Sequence, residues 1–168
     1  MNIRYLNKFQ LYARNVLHKT PYTKCFFSYA YDSKAPDVEY FALSEKNPDE
    51  YYFIHNVWHR NIDFERYFKI PNQEVFNEKE HIPAITSKEI RLSNEQFCEF
   101  TSIINSIRIT PPLGDFRIIL GGNSHVMEFG TIGKGNVLLS WGEVFPENFV
   151  NVSLIIEFIN KLKNESWM

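Results

Sequence analysis

The sequence predicts an α+β fold: an antiparallel sheet made of two meanders, covered by N-terminal, central and C-terminal helices. Between residues 115 and 142, period-2 apolar runs alternate with Gly/Asn-rich turns, which is the pattern of β-hairpins. Segments with helical apolar spacing flank that stretch, and a third opens the chain. Helices laid on an antiparallel sheet are one of the few stable layer arrangements. The 168 residues suit one α+β domain, 1–168.

The elements follow in order. Residues 3–18 put Leu6, Phe9, Ala13, Val16 and Leu17 on one face of a first helix, with most of its bases on the other, and Thr20-Pro21 ends it. Residues 24–58 read as three strands. In the first, Phe27, Tyr29 and Tyr31 alternate with Phe26, Ser28 and Ala30. Turn residues at 32–36 and 45–49 separate it from a weakly alternating run, Asp37 to Leu43, and an aromatic-rich run, Tyr51 to Trp58. That last run is apolar on both faces, as in a strand covered on both sides. Residues 61–68 read as a short helix or an irregular edge, and a further strand is predicted near Ile85 or at Glu89–Leu92. The loop at 70–81 is the candidate hinge between two subregions.

Ser93-Asn94-Glu95-Gln96 is a capping box, with Leu92 and Phe97 placed to staple it. Phe97, Phe100, Ile104 and Ile107 form the apolar face of the helix it starts, and Pro111-Pro112 stops that helix. In the second meander, a tight turn at Gly122-Asn123 sets Leu120 opposite His125, Ile118 opposite Met127 and Arg117 opposite Glu128. One face then carries Phe116, Ile118, Leu120, Met127, Phe129, Leu139 and Trp141, and the other Arg117, Glu128 and Ser140. Asn151 or Ser153 caps a last helix with Val152, Ile155, Ile156, Ile159 and Leu162 inward and Lys161 and Lys163 in its final turn. The pattern leaves open whether the two meanders share one sheet.

The net charge of −2 argues against direct nucleic-acid binding, which favours a basic surface. No apolar run approaches the roughly 18–20 residues of a membrane span. Cys25 and Cys98 are expected as two free buried thiols, in keeping with a reducing cytoplasm. Residues 1–31 hold five bases and no acid, but they run straight into strand-like sequence and lack the apolar core of a secretory signal.

Catalytic patterns are weak. His55 and His59 lie four apart, with Asp63, Glu65, Glu80 and His81 as further candidate ligands, but the local pattern is a strand, which chelates poorly at that spacing. This is the basis of one alternative, a small metal-dependent enzyme. The glycine clusters at 121–122 and 133–135 precede no helix and therefore read as turns rather than phosphate cradles. Neither cysteine has a nucleophile's setting. The sequence therefore predicts no enzyme, no cofactor and no metal.

Aromatic residues are the most informative feature. Seven of the nine tyrosines lie between Tyr22 and Tyr67, interleaved with an acidic segment. Asp32, Asp37, Glu39, Tyr40, Glu45, Asp49, Glu50, Tyr51 and Tyr52 are the expected partner-binding residues. Tyrosine gives large contact area at low entropic cost, and neighbouring acids suit a basic protein partner. A regulatory or scaffold homodimer built on the same aromatic surface is a further alternative.

One layout extends this reading. An Ile-Thr-Pro-Pro segment at 109–112 leads through a strand to Gly-Gly-Asn, His125-Val126-Met127-Glu128-Phe129, a strand ending at Trp141, then Pro146 and Phe149 before the final helix. Trp58-His59-Arg60-Asn61-Ile62-Asp63 lies upstream. The arrangement resembles small bacterial immunity-type proteins of toxin–immunity systems, across about a quarter of the chain. It departs from them in having Gly-Gly-Asn where an Asp-Gly turn is common, and no residue role carries across. The resemblance implies a cytoplasmic protein that binds a cognate toxin, for example a basic nuclease domain, and blocks it.

Overall fold

The computed structural model describes residues 3–22, 24–32, 37–68, 76–109, 124–130, 137–142 and 149–165. Helix α1 (Ile3–Leu17) precedes strands β1 (Lys24–Asp32), β2 (Asp37–Asn47) and β3 (Glu50–His59). A short helix α2 (Arg60–Asp63) runs into a π-helical turn at Phe64–Phe68, and β4 (Ile85–Arg91) and α3 (Asn94–Ser106) follow. The remainder comprises β5 (Arg108–Ile109), β6 (Ser124–Phe129), β7 (Val137–Trp141), β8 (Phe149–Val150) and α4 (Val152–Glu165). This is an α+β fold.

Six strands form one sheet in the order β4-β3-β2-β1-β6-β7, and every neighbouring pair is antiparallel. The two meanders therefore do share a sheet, joined where β1 pairs with β6. β4 pairs with β3, and residues 70–75 of the expected 70–81 hinge lie outside the described residues. β5 and β8 form a separate two-stranded piece at the C-terminal end of α3 and the start of α4.

Both faces of the sheet are covered. On one, Phe9, Ala13 and Leu17 of α1 pack on Val38, Tyr40, Ala42, Ile54 and Trp58. On the other, Phe100 of α3 and Val152, Ile155, Phe158, Ile159 and Leu162 of α4 pack on Phe27, Phe41, Leu43, Phe53, Met127 and Leu139. β2 lies between these layers and is buried almost without a break from Tyr40 to Ser44. The α1 stripe follows i, i+4 spacing through Tyr5, Phe9, Ala13 and Leu17, so Leu6 and Val16 fall at its margin.

The capping box at Ser93 forms as expected: the Ser93 hydroxyl accepts from the Gln96 amide, and the Gln96 side chain accepts from the Ser93 amide. At α4 the cap differs. Asn151 takes a positive φ of 64°, which Asn tolerates, and its side-chain amide donates to the Ser106 carbonyl instead of capping its own helix. Phe158 joins the core beside the expected residues.

The expected Gly122-Asn123 hairpin falls on residues of which one side is not described. Residues 110–123 lie outside the described residues, but both edges of β6 are already taken, by β1 and β7. His125 faces Tyr31 and Trp141, Met127 faces Tyr29 and Leu139, and Glu128 faces Ser28 and Leu138. Leu120, Ile118 and Arg117, the partners expected for this strand, lie outside the described residues. The shared face of Met127, Phe129, Leu139 and Trp141 does hold. Both cysteines are free, but only Cys25 is buried; Cys98 is exposed, because it lies off the apolar stripe of α3.

Two buried polar groups tie the α1 side together. Asn56 donates to the carbonyls of Leu17 and Lys19 at 2.7 and 3.2 Å and accepts from the Ser87 hydroxyl at 2.6 Å. It thereby satisfies carbonyls that the end of α1 leaves without helical partners. Asp63 is fully buried and accepts from Trp58 Nε1 at 2.7 Å and from the Ala84 amide at 2.9 Å.

Candidate functional site

A cleft of about 510 Å³ opens on the α4 side of the sheet, where β2, β3 and β4 continue past the helix layer. Apart from Ser87, the strand residues that line it share one parity. Asp37 stands opposite His59 and Glu39 opposite Val57, while Thr86 and Lys88 of β4 face Val57 and His55. Alternation along the strands explains this: the row that carries Phe53, Leu43 and Phe27 under the helices becomes polar toward the open end. Lys163, from the last turns of α4, closes one wall.

Two networks organise the polar groups. In the first, His55 Nε2 donates to Glu39 at 2.8 Å and Lys163 Nζ donates to the same carboxylate at 2.7 Å. Phe41 supports both, with the His55 ring stacked on it at 4.4 Å and Lys163 Nζ 5.5 Å from its centre. The His55 hydrogen bond, opposed by burial and aided by the Lys163 ammonium, holds the Glu39 carboxyl at about 2. Glu39 is thus ionised throughout the physiological range.

In the second, His59 lies between Asp37 and Thr86, with Nδ1 3.3 Å from the Asp37 carboxylate and Nε2 3.1 Å from the Thr86 hydroxyl. A carboxylate only accepts, so Nδ1 carries the proton. With Nδ1 protonated and Nε2 bare, the Thr86 hydroxyl would donate to Nε2. Carboxylate, imidazole and hydroxyl stand in the order used for general-base activation of a nucleophile. The side chains of Asp37 and His59 are 45% and 30% exposed, so this network meets solvent.

Beyond Glu39 the same row continues through Tyr31 to His125 and Trp141. The His125 ring is stacked between Tyr31 at 4.6 Å and Trp141 at 5.0 Å, and its Nδ1 shares a 2.7 Å hydrogen bond with the Tyr29 hydroxyl. Burial lowers the pKa of His125, which favours its neutral form.

The nine residues expected as one partner-binding surface are divided. Asp37 and Glu39 lie in the cleft. Glu45, Asp49, Glu50 and Tyr51 lie at the far end of β2 and β3, on the order of 20–30 Å away along the strand. Asp32 is on the α1 side, in ion pairs with Arg14 and Arg60. Tyr40 is buried there, stacked on His18, and offers no surface. Tyr52 also turns to the α1 side, near Tyr22 and Lys46, whereas Tyr51 is stacked on Phe97 at 3.5 Å. Strand alternation sends neighbours such as Tyr51 and Tyr52 to opposite faces, so clustering in sequence does not become clustering in space. Most of the acids are paired as well: Glu45 with Lys24, and Glu50 with Arg91.

The expected metal ligands also separate. His55 and His59 share the cleft, but each is directed at its own carboxylate. Asp63 is buried on the α1 side, and His81 packs edge-on against Tyr5 and Tyr67. Among the described residues, no group of three or more His, Cys, Asp or Glu is placed to hold a metal ion. Thr86, Lys88 and Lys163 were not foreseen as site residues. Only the strand parity of Thr86 and Lys88 carried a signal; the link from Lys163 to Glu39 spans 124 positions of sequence and carried none. No family model matches the chain, and no curated protein or solved structure is significantly similar to it.

Proposed function

We propose that the chain is a non-enzymatic binding protein of the toxin–immunity kind, which blocks a cognate bacterial toxin in the cytoplasm, and that it binds through the cleft around Asp37, Glu39, His55 and His59. One observation carries this reading: the polar groups of the cleft are held in place by one another while still meeting solvent. A surface ordered in advance loses little side-chain entropy on binding. The carboxylate of Asp37 is the most exposed of the cleft's paired acids and suits a basic group on the partner. Two free cysteines agree with a reducing compartment. Co-expression with a toxin encoded beside this chain tests the reading. Cell survival and a co-purifying complex are expected, and Asp37→Lys is expected to lose both without loss of fold. Absence of protection and of a complex overturns it.

A second reading rests on the Asp37–His59–Thr86 order. The Thr86 Oγ would attack an ester carbonyl as its proton passes to His59 Nε2, and the leaving alcohol would take that proton back. Mass spectrometry after treatment with p-nitrophenyl acetate decides it. An acetyl group on Thr86 that His59→Ala abolishes supports acyl transfer, and an unmodified Thr86 removes it.

A further inference from the structure

We infer, on the footing of the binding reading above, that the partner docks by adding an extended segment to the sheet along the outer edge of β4, so that alternate side chains of that segment enter the cleft.

The hydrogen-bond phase of β4 defines what this edge offers. The Leu92 amide donates to the Tyr51 carbonyl and the His59 amide to the Ala84 carbonyl, and these pairs continue the β3–β4 register one step beyond either end. Antiparallel ladders alternate between bonded and non-bonded pairs. Thr86, Lys88 and Ile90 therefore direct their amides and carbonyls inward to β3. Ser87, Glu89 and Arg91 direct theirs outward, and the sheet ends there among the described residues. An added strand would find three donors and three acceptors in register, along a strand of about 23 Å.

The position of the cleft selects this edge over the opposite one. Thr86, Ser87 and Lys88 line the cleft and belong to β4 itself. A strand laid against them would place every second side chain on the cleft side, next to Lys88 and within reach of the Asp37–His59–Thr86 network. β7, the other edge, has five residues and no part in the cleft.

Charge narrows the occupant to an extended segment of a different protein. Self-pairing about a twofold axis engages the most outward amides when centred on Lys88 or on Glu89, because the Ile85 amide is already bonded to the Pro83 carbonyl. Those registers put Lys88 against Lys88, or Glu89 against Glu89, and like charges directly opposite destabilise a pair. Charges on an open edge deter indiscriminate pairing and admit a strand with the complementary pattern: an acid facing Lys88 and a base facing Glu89.

Amide hydrogen exchange by NMR tests this on the full chain, alone and in complex with the toxin encoded beside it. In the free chain the amides of Ser87, Glu89 and Arg91 are expected to exchange faster than those of Thr86, Lys88 and Ile90. In the complex those three should slow by about tenfold or more. Glu89→Pro removes an outward amide and leaves the inner ladder whole, and should weaken the complex by about tenfold. A complex in which the three amides exchange as in the free chain overturns edge docking and leaves the binding reading standing. The absence of any complex overturns both. Protection of the same amides in a toxin-free dimer, seen by sedimentation, assigns the edge to a second copy and also overturns the inference.

Discussion

The two faces of the sheet both carry hydrogen-bonded polar side chains, and they carry them differently. On the α1 side, Asn56 and Asp63 are buried and bond chiefly to backbone groups: the carbonyls of Leu17 and Lys19, and the amide of Ala84. On the α4 side, Glu39, His55, Asp37, His59, Thr86 and Lys163 bond to one another and meet solvent. A backbone partner has a fixed position, so the first arrangement fastens elements together. A bond between side chains that meet solvent can be replaced by one to water or to a ligand without moving the fold, so the second can exchange partners. A polar group inside a fold thus gains meaning from the kind of partner it has and from its access to water.

The largest effect is expected on the α1 side. Asp63→Ala leaves the buried Trp58 indole N–H and the half-buried Ala84 amide without their acceptor, at a cost of about 2–4 kcal/mol for the two groups. Urea unfolding followed by tryptophan fluorescence checks this; a loss under about 1 kcal/mol would mean that these groups find water and that the two faces are alike.

Glu39 lies between the extremes, with its side chain one-quarter exposed. Its carboxyl sits near 2 in the folded chain against an ordinary 4.5, so between those values the unfolded chain binds more protons. The contribution of Glu39 is therefore fully present above pH 4.5 and fades as pH falls toward 2. Glu39→Gln is expected to cost about 1–3 kcal/mol at pH 7, and the gap to wild type should close on acidification. A gap independent of pH would mean that the His55–Glu39–Lys163 network contributes by packing alone.

The elements were readable from sequence where the signal is local. The Ser93–Gln96 box, the alternation in β1 and β3 and the apolar stripe of α4 each depend on residues within a turn or two of each other. What was not readable depends on partners far apart. The pairing of β1 with β6, which unites the two meanders, joins Tyr29 to Met127. The cleft draws on β2, β3, β4 and α4, and its clearest sequence trace was His55 and His59 falling on one strand face. The acidic, Tyr-rich stretch misled for a physical reason: a strand divides consecutive residues between two faces, and internal bases pair most of its acids.

The smallest change in stability is expected in the cleft. Asp37 is 45% exposed and Thr86 is exposed, so water replaces their hydrogen bonds once the partner is removed. Asp37→Ala and Thr86→Ala should each shift the unfolding free energy by no more than about 0.5 kcal/mol, the range of surface pairs. Paired residues that contribute so little to folding are held in position by geometry and leave their interaction energy available to a partner. A cost above about 1 kcal/mol for either change would place the cleft with Asp63 as a fastening of the fold and would remove the distinction between the faces. A near-zero cost together with lost toxin protection in Asp37→Ala would assign the two roles to opposite sides of one sheet.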